Sequence, residues 1–183
     1  MEARFQLTPG FFLWGALCLL LLPFPWLIGV LTAATLHEVF HCLAVWLCGG
    51  QVLGLTLGAG GAKIETAPMP PWKVLLCALA GPLGSFCLLP LSQYFPEAAV
   101  CGMIQGVYNL IPIFPLDGGR ALRVLLPIPV CIGVEAFVLT LLTGLSLALA
   151  FSQRDFGLIL LLSLWFPVIQ RKFSCKEGKL AVQ

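Results

Sequence analysis

Charged residues are scarce in this sequence of 183 residues, and that scarcity limits what the chain can be. They make up 10% of it, whereas 60% of the residues are hydrophobic. A chain so poor in charge cannot surround an apolar core with a water-soluble surface, which excludes an ordinary soluble domain. The length suits about four to six membrane spans of about 20 residues each. Any substrate would then have to be bound by the membrane-spanning part of the chain.

The sequence also lacks a CxxC pair and has little excess charge. Without paired cysteines, neither a disulfide framework nor a thiolate zinc site is predicted, and we interpret most cysteines as small buried hydrophobic residues. The net charge of +2 requires no nucleic acid, since attraction to an anionic membrane leaflet explains it. We therefore expect the lipid bilayer, and no nucleic acid, among the partners. The eight cysteines are Cys18, Cys42, Cys48, Cys77, Cys87, Cys101, Cys131 and Cys175.

Six apolar segments make up most of the chain. The fold class that they predict is an all-α polytopic membrane protein with about six transmembrane helices. The first segment has one arginine before it and no small-residue cleavage site after it, so we expect a retained span rather than a signal peptide. The first and last segments are short for a core of about 30 Å, so each is tilted against its neighbours, extended at its ends, or not fully spanning. The segments are 11–22, 26–47, 74–91, 98–114, 130–151 and 156–169.

Lys and Arg are distributed unevenly among the loops that connect these segments. On six spans, nine of the ten basic residues lie on one side, and Arg154 lies on the other. Because short cytoplasmic loops retain positive charge, both termini are predicted to face the cytosol. The nine residues are Arg4, Lys63, Lys73, Arg120, Arg123, Arg171, Lys172, Lys176 and Lys179.

The loop between the second and third segments is unusually apolar. Residues 52–66 include a glycine-rich stretch from Gly58 to Gly61. Such a pattern predicts two short strands around a turn, so we expect a short β-hairpin or re-entrant strand between helices 2 and 3. The hairpin either lies on the membrane surface or presents a free strand edge near the active site.

The second segment contains the pattern HExxH, formed by His37, Glu38 and His41. Residues four apart share one face of a helix, so both imidazoles can reach one zinc ion while Glu38 lies beside them to take a proton from water. The sequence has two histidines, both in this pattern, and Glu38 is the one acid of its segment. Ionisable groups within lipid need a compensating partner, which favours a metal site over a hydrogen-bonded packing role.

A catalytic zinc ion usually takes three protein ligands, so a third ligand is expected. The candidates are Asp117, Glu135 and Asp155. Asp117 is the best of them, because prolines end or kink the fourth segment before it and the glycines after it allow a tight turn. The histidines lie roughly 9 to 15 Å from the cytosolic end of their span at about 1.5 Å per residue, a depth similar to that of Asp117.

Two other features complete the pattern. Asn109 lies eight residues before Asp117, and its amide either donates to a substrate carbonyl or oxyanion or makes an interhelical hydrogen bond. The third segment contains small residues between Ala80 and Ser85, which favour close approach to the HExxH helix. Glu135 is assigned no catalytic role.

These motifs together resemble the site-2 protease family of intramembrane metalloproteases. Three motifs occur in successive spans in the family's order: His37 to His41, Gly81 to Ser85, and Asn109 through Asp117. The resemblance covers roughly residues 9–170. The run Asn-Leu-Ile-Pro-Ile-Phe-Pro-Leu-Asp-Gly-Gly-Arg looks especially like the branch that contains the bacterial sporulation protease, which activates a pro-sigma factor.

The resemblance implies a zinc ion held by His37, His41 and Asp117, with Glu38 and Asn109 as catalytic residues. It implies a membrane-associated or single-span protein substrate, such as a pro-sigma factor or another regulator, which unwinds and pairs with a strand of the 52–66 loop. It further implies a multi-pass protein of a bacterial cell membrane whose active site opens towards the cytosol. A membrane inhibitor or regulatory partner and an oligomer are compatible with it.

We therefore expect residues 1–183 to form one membrane-embedded protease domain, with its catalytic core at about 24–125 and a short cytosolic tail at 171–183. The chain has no room for the nucleotide-binding CBS domain or the PDZ domain of other family members, so regulation by such domains is not expected. Two rival functions are a metal-ion transporter that uses the same His/Asp site and a catalytically silent scaffold. The intact Glu38 argues against the scaffold.

Overall fold

A computed structural model of the chain describes residues 4–58 and 61–153, and most of these residues are helical. They fall into two compact units, one ending at Ile111 and the other beginning at Pro112. The predicted mostly helical fold with a short hairpin is confirmed. The elements are β1 (Arg4–Leu7), α1 (Pro9–Leu21), α2 (Phe24–Leu47), β2 (Val52–Gly58), β3 (Gly61–Thr66), α3 (Pro71–Phe86), a 3-10 turn (Leu89–Leu91), α4 (Pro96–Asn109), α5 (Asp117–Leu125) and α6 (Ile128–Gln153).

Prolines mark the beginnings of several helices. Pro9, Pro71 and Pro96 are the first residues of α1, α3 and α4. Proline suits this position because its fixed φ matches the helix and the N–H that it lacks would have no partner within the helix. These helices therefore begin two or three residues before the apolar segments from which they were predicted.

Among residues 4–58 and 61–153, three helical segments are long and apolar enough to cross a membrane. They are Phe24–Leu47, Pro71–Leu91 and Ile128–Ser146, whereas α1 is apolar but has 13 residues. Large apolar side chains such as Leu20 and Trp46 lie exposed on these helices, as expected for contact with lipid rather than water. The chain is a membrane protein, while the count of six spans stays a prediction and the segment 156–169 lies outside the described residues.

The fourth predicted span ends earlier than expected. Helix α4 stops at Asn109, before the end of the apolar segment 98–114, and the predicted end or kink of this segment at its prolines is confirmed. Pro112 and Pro115 lack the N–H that a helix interior requires and restrict the residues before them, and the bond between Phe114 and Pro115 is cis. The chain resumes as α5 at Asp117, a helix that was not predicted because Asp-Gly-Gly is typical of a turn.

The first unit is held together by close contacts among α2, α3 and α4. Glycines of α3 make the contact with α2 possible, because a Cβ at Gly81 would overlap the ring of His41 and one at Gly84 would overlap Phe40. The predicted close approach of the third span to the HExxH helix is confirmed. Close packing of this kind fixes the rotation of α2 and hence the face on which its histidines lie.

The small sheet has the strand order β1-β2-β3. The antiparallel hairpin of β2 and β3 was predicted, whereas β1, which pairs in parallel with β2 from Arg4↔Gly54 to Leu7↔Leu57, was not. Because β2 lies between two partners, the expectation of a free edge along residues 52–57 was wrong. Within the part of the chain that is described, the open edges of the sheet belong to β1 and β3.

Candidate metal centre

The two histidines of α2 are buried and lie one turn apart. His37 is 3% exposed and His41 is 8% exposed, and their ring centroids are 4.7 Å apart. The four-residue spacing puts both rings on the side of α2 that faces α3. The geometry that was predicted from HExxH for these two residues is therefore present in the first unit.

Each imidazole is oriented by a hydrogen bond from its Nδ1 atom to α3. His41 Nδ1 lies 2.7 Å from the carbonyl oxygen of Cys77, which can only accept, so Nδ1 carries the proton. His37 Nδ1 lies 2.9 Å from Ser85 Oγ. The Ser85 hydroxyl in turn donates to the carbonyl of Gly81 at 3.3 Å, so its oxygen accepts from His37. Both rings consequently have their lone pair on Nε2.

The two Nε2 atoms face each other across 3.2 Å. Two nitrogen lone pairs at this distance would repel, and a cation bound by both nitrogens would remove that repulsion. Bonds of 2.0–2.1 Å to a tetrahedral zinc ion would place two imidazole nitrogens about 3.3–3.4 Å apart. The observed separation and the fixed tautomers thus fit a zinc ion bound through Nε2 of both residues, with Ser85 and Cys77 as the outer partners that orient the ligands.

Glu38 and Asn109 lie in the same unit as the histidines. Glu38 follows His37 directly on α2 and is half-buried, so its carboxylate begins one residue from a metal-binding imidazole. Asn109 is the last residue of α4, and its Nδ2 donates to the carbonyl of Gln105 at 3.0 Å within that helix. That bond is intrahelical and differs from the interhelical bond considered as the structural alternative. It uses one of the two amide hydrogens, and the catalytic role of Asn109 stays a prediction.

Asp117 begins α5 in the second unit and is 6% exposed. The residues before it form a turn in which Leu116 N–H donates to Ile113 O at 2.9 Å. A Cβ added to Gly119 would overlap the backbone of Ile113 and Phe114, so the first turn of α5 lies directly against this turn. Asp117 is the carboxylate that the sequence predicts as the third ligand, and two imidazole nitrogens with one carboxylate oxygen are a donor set that suits a zinc ion.

The other candidates for the third ligand are in different situations. Glu135 is fully buried on α6, and its Oε1 accepts hydrogen bonds from Phe114 N–H and from Arg123 at 3.3 Å each. Asp155 lies outside the described residues. Glu135 is therefore committed to contacts with α5 and the turn before it.

Ser85 is the functional residue that the sequence analysis missed. It was grouped with the small packing residues of the third span, yet its side chain is fully buried and orients His37. The available signal was the single hydroxyl at the end of the run Gly-Pro-Leu-Gly-Ser. A polar group within an apolar span has to find a partner, and HExxH on the neighbouring span offers one.

Comparisons with known proteins find zinc metalloproteases. A protein of Synechocystis that is named as a zinc metalloprotease is 32% identical in an alignment of 123 positions that covers 54% of this chain. A zinc metalloprotease of Methanocaldococcus jannaschii is 32% identical in an alignment of 108 positions that covers 51% of the chain. The chain spans about a third of the length of each of these relatives (32% in both cases). No family model matches the sequence.

A solved structure, the site-2 protease from Methanocaldococcus jannaschii, superposes with a TM-score of 0.65 at 23% identity, covering all of this chain and 95% of that one. The predicted resemblance is confirmed at the level of the fold, and the curated relatives are named as zinc metalloproteases. The site-2 protease fold therefore surrounds the paired histidines described above. The assignment to the sporulation branch of the site-2 proteases stays a prediction.

Proposed function

We propose that this chain is an intramembrane zinc metalloprotease that hydrolyses peptide bonds of membrane-associated proteins within or near the bilayer. The observation that carries the proposal is the pair of buried imidazoles, with Nε2 atoms 3.2 Å apart and both Nδ1 protons committed to α3. Glu38 lies in sequence between them, as the general base of an HExxH protease does. The names of the curated relatives support the same activity.

We assign His37, His41 and Asp117 as the protein ligands of one zinc ion. When bound, the ion supplies a Lewis acid that acidifies water and polarises the scissile carbonyl. Two neutral imidazoles and one carboxylate leave a site with net positive charge and room for a fourth ligand. This is the ligand number of catalytic rather than structural zinc sites, in which four protein groups fill the coordination sphere.

The remaining chemistry is assigned to Glu38 and Asn109. Glu38 takes a proton from the attacking water and later delivers it to the leaving amine, as a positioned general base and acid. Asn109 donates an amide hydrogen to the oxygen on which negative charge develops. Its bond to Gln105 O uses one of the two amide hydrogens, and the other is the one assigned to this donation.

The substrate is expected to be extended at the scissile bond, because a helical peptide engages its carbonyls in its own hydrogen bonds. Strand pairing would compensate for the unwinding. The open edges of the sheet at β1 and β3 offer such pairing in place of β2, whose two neighbours occupy its edges. A single-span protein or a pro-sigma factor would meet this requirement if the segment around its scissile bond unwinds near the membrane. From the distribution of Lys and Arg among the loops, we expect a multi-pass fold with cytosolic termini and a site that opens towards the cytosol.

The metal-ion transporter is less well supported than the protease. A transport site exchanges its ion and has no need for a proton acceptor beside the ligands, whereas Glu38 directly follows His37. The two fixed imidazole tautomers also favour a resident ion over one in transit. Glu38 likewise argues against a catalytically silent scaffold.

The test measures zinc content and cleavage together in purified protein in detergent. Wild type, Glu38→Gln and Asp117→Ala are compared on a pro-sigma factor and on an unfolded general protein substrate. Glu97→Gln, which changes an acid in the first turn of α4, is the matched control. We expect about one zinc ion per chain in wild type, Glu38→Gln and the control, and loss of zinc in Asp117→Ala.

Cleavage separates the assigned roles. Glu38→Gln should lose cleavage by about 100-fold or more while it keeps zinc, because a general base contributes about 10²–10⁴-fold. Full activity in that variant would refute the role of Glu38. Wild type without zinc would remove the basis of the proposal, and zinc-dependent ion flux into vesicles without cleavage would favour the transporter.

A further inference from the structure

The second unit contains a buried acid that the proposed chemistry does not use. Glu135 is the one charged residue of α6, and its side chain is fully buried. A carboxylate at such a position in a membrane helix is costly, and an apolar residue of similar volume would pack without that cost. Its partners therefore indicate what it is for.

The Glu135 carboxylate connects α6 to the chain on both sides of Asp117. Its Oε1 accepts from Phe114 N–H, three residues before Asp117, and from Arg123 Nη2, six residues after it, at 3.3 Å each. The Arg123 guanidinium also stacks on the Phe114 ring, 4.0 Å from its centroid. One carboxylate thus ties the preceding turn and the α5 helix to each other and to α6.

A second contact joins the same helices next to this one. Cys131, one turn before Glu135 on α6, points its Sγ at the carbonyls of Leu122 and Leu126 at 3.5 and 3.4 Å. At the other end of α5, Gly119 lies against the backbone of Ile113 and Phe114. The helix is therefore held at both ends, and Asp117 lies between the Phe114 attachment and the Arg123 attachment.

We propose that Glu135 is a positioning residue for Asp117, acting through Phe114 and Arg123. The inference rests on the proposed function, in which Asp117 is a zinc ligand. Glu135 fixes the direction of the Asp117 carboxylate by holding the backbone on both sides of it, much as outer partners fix ligating histidines. The ion pair with Arg123 compensates the charge of the buried carboxylate without drawing on Asp117 itself.

The first measurement needs no metal. Hydrogen exchange of zinc-free full-length protein in detergent is compared for wild type, Glu135→Leu and Glu135→Gln, with Thr140→Val as control. Thr140 lies on the same helix, and its hydroxyl donates to Ala136 O within α6. We expect faster exchange in the peptides that cover residues 113–118 in both Glu135 variants and no change there in the control. Unchanged exchange in both variants would overturn the proposal.

The second measurement tests how the metal is bound. Zinc affinity is determined by competition with a chelator, and the visible spectrum of the Co²⁺-substituted protein reports the coordination. We expect Glu135→Leu to bind zinc about 10- to 100-fold more weakly, the range for loss of an outer partner, and its Co²⁺ spectrum to differ from that of wild type. Wild-type affinity and spectrum in a folded Glu135→Leu protein would overturn the positioning role.

Two further variants keep the test decisive. Arg123→Gln leaves the buried Glu135 carboxylate without its cation, and Arg123→Gln combined with Glu135→Gln removes both charges. The double variant should therefore bind zinc more tightly than Arg123→Gln alone. Equal affinities would contradict the ion-pair argument. If Asp117→Ala binds zinc as wild type does, the ligand assignment fails, a result distinct from unchanged binding in the Glu135 variants alone.

Discussion

Ser85 Oγ lies 2.9 Å from His37 Nδ1, and the Ser85 hydroxyl donates a hydrogen bond to Gly81 O at 3.3 Å. The hydroxyl thereby selects the His37 tautomer that has its lone pair on Nε2. Cys77 achieves the same for His41 with a backbone carbonyl. One imidazole is thus oriented by a side chain that mutation can remove, and the other by a main-chain atom that it cannot.

This difference makes Ser85→Ala an informative variant. Without the acceptor, His37 can adopt the other tautomer, in which Nε2 carries the proton and cannot bind a metal. We expect zinc affinity to fall about 10- to 100-fold, since outer partners contribute that much. Chelator competition measures it, and Ser92→Ala, outside the site on the loop before α4, is the control. Equal zinc affinity in Ser85→Ala and wild type would contradict the orienting role.

Gly81→Ala tests the contact between α2 and α3. A Cβ at Gly81 would overlap the His41 ring, so the ring or the helix has to move. We expect loss of zinc binding together with a lower melting temperature, because overpacking typically destabilises by about 1–3 kcal/mol. Gly15→Ala is the matched control, since a Cβ there meets no atom within 4 Å. A Gly81→Ala protein with normal zinc content would show that the α2–α3 contact is looser than described.

The parts of the fold that were predicted correctly depend on local patterns. The four-residue spacing of His37 and His41 defines a helix face without knowledge of any partner. The glycine-rich stretch between two apolar runs likewise predicts the hairpin of β2 and β3. Both features depend on residues that lie close together in the sequence.

The parts that were missed depend on contacts between distant residues. β1 has four residues, and Arg4 pairs with Gly54, far along the chain. The hydrogen bond between Ser85 and His37 depends on how α2 is oriented about its axis relative to α3. The glycines of α3 allow the close contact, but they do not define that orientation. The local sequence around Asp117 indicates a turn, whereas the structure continues it as α5 because this segment packs against Glu135 and its neighbours on α6.

Asn109→Ala tests the proposed oxyanion contact. We expect kcat to fall about 10²–10³-fold, as for removal of one oxyanion donor, with zinc content unchanged. The control is Gln105→Ala, which removes a side chain of the same helix and keeps the carbonyl that accepts from Asn109. If the two variants are equally active, Asn109 has a helix-terminal rather than a catalytic role.

Removal of the metal should lower the stability of the first unit. The two Nε2 atoms are 3.2 Å apart, and a cation bound by both is a ligand of the folded state that the chelated protein lacks. A ligand present at about 100 times its dissociation constant stabilises by about 2.7 kcal/mol. We expect a zinc chelator to lower the melting temperature of wild type and Glu38→Gln alike, and to leave His37→Ala combined with His41→Ala unaffected. A chelator-induced shift in that double variant would mean that the stabilising metal is bound elsewhere.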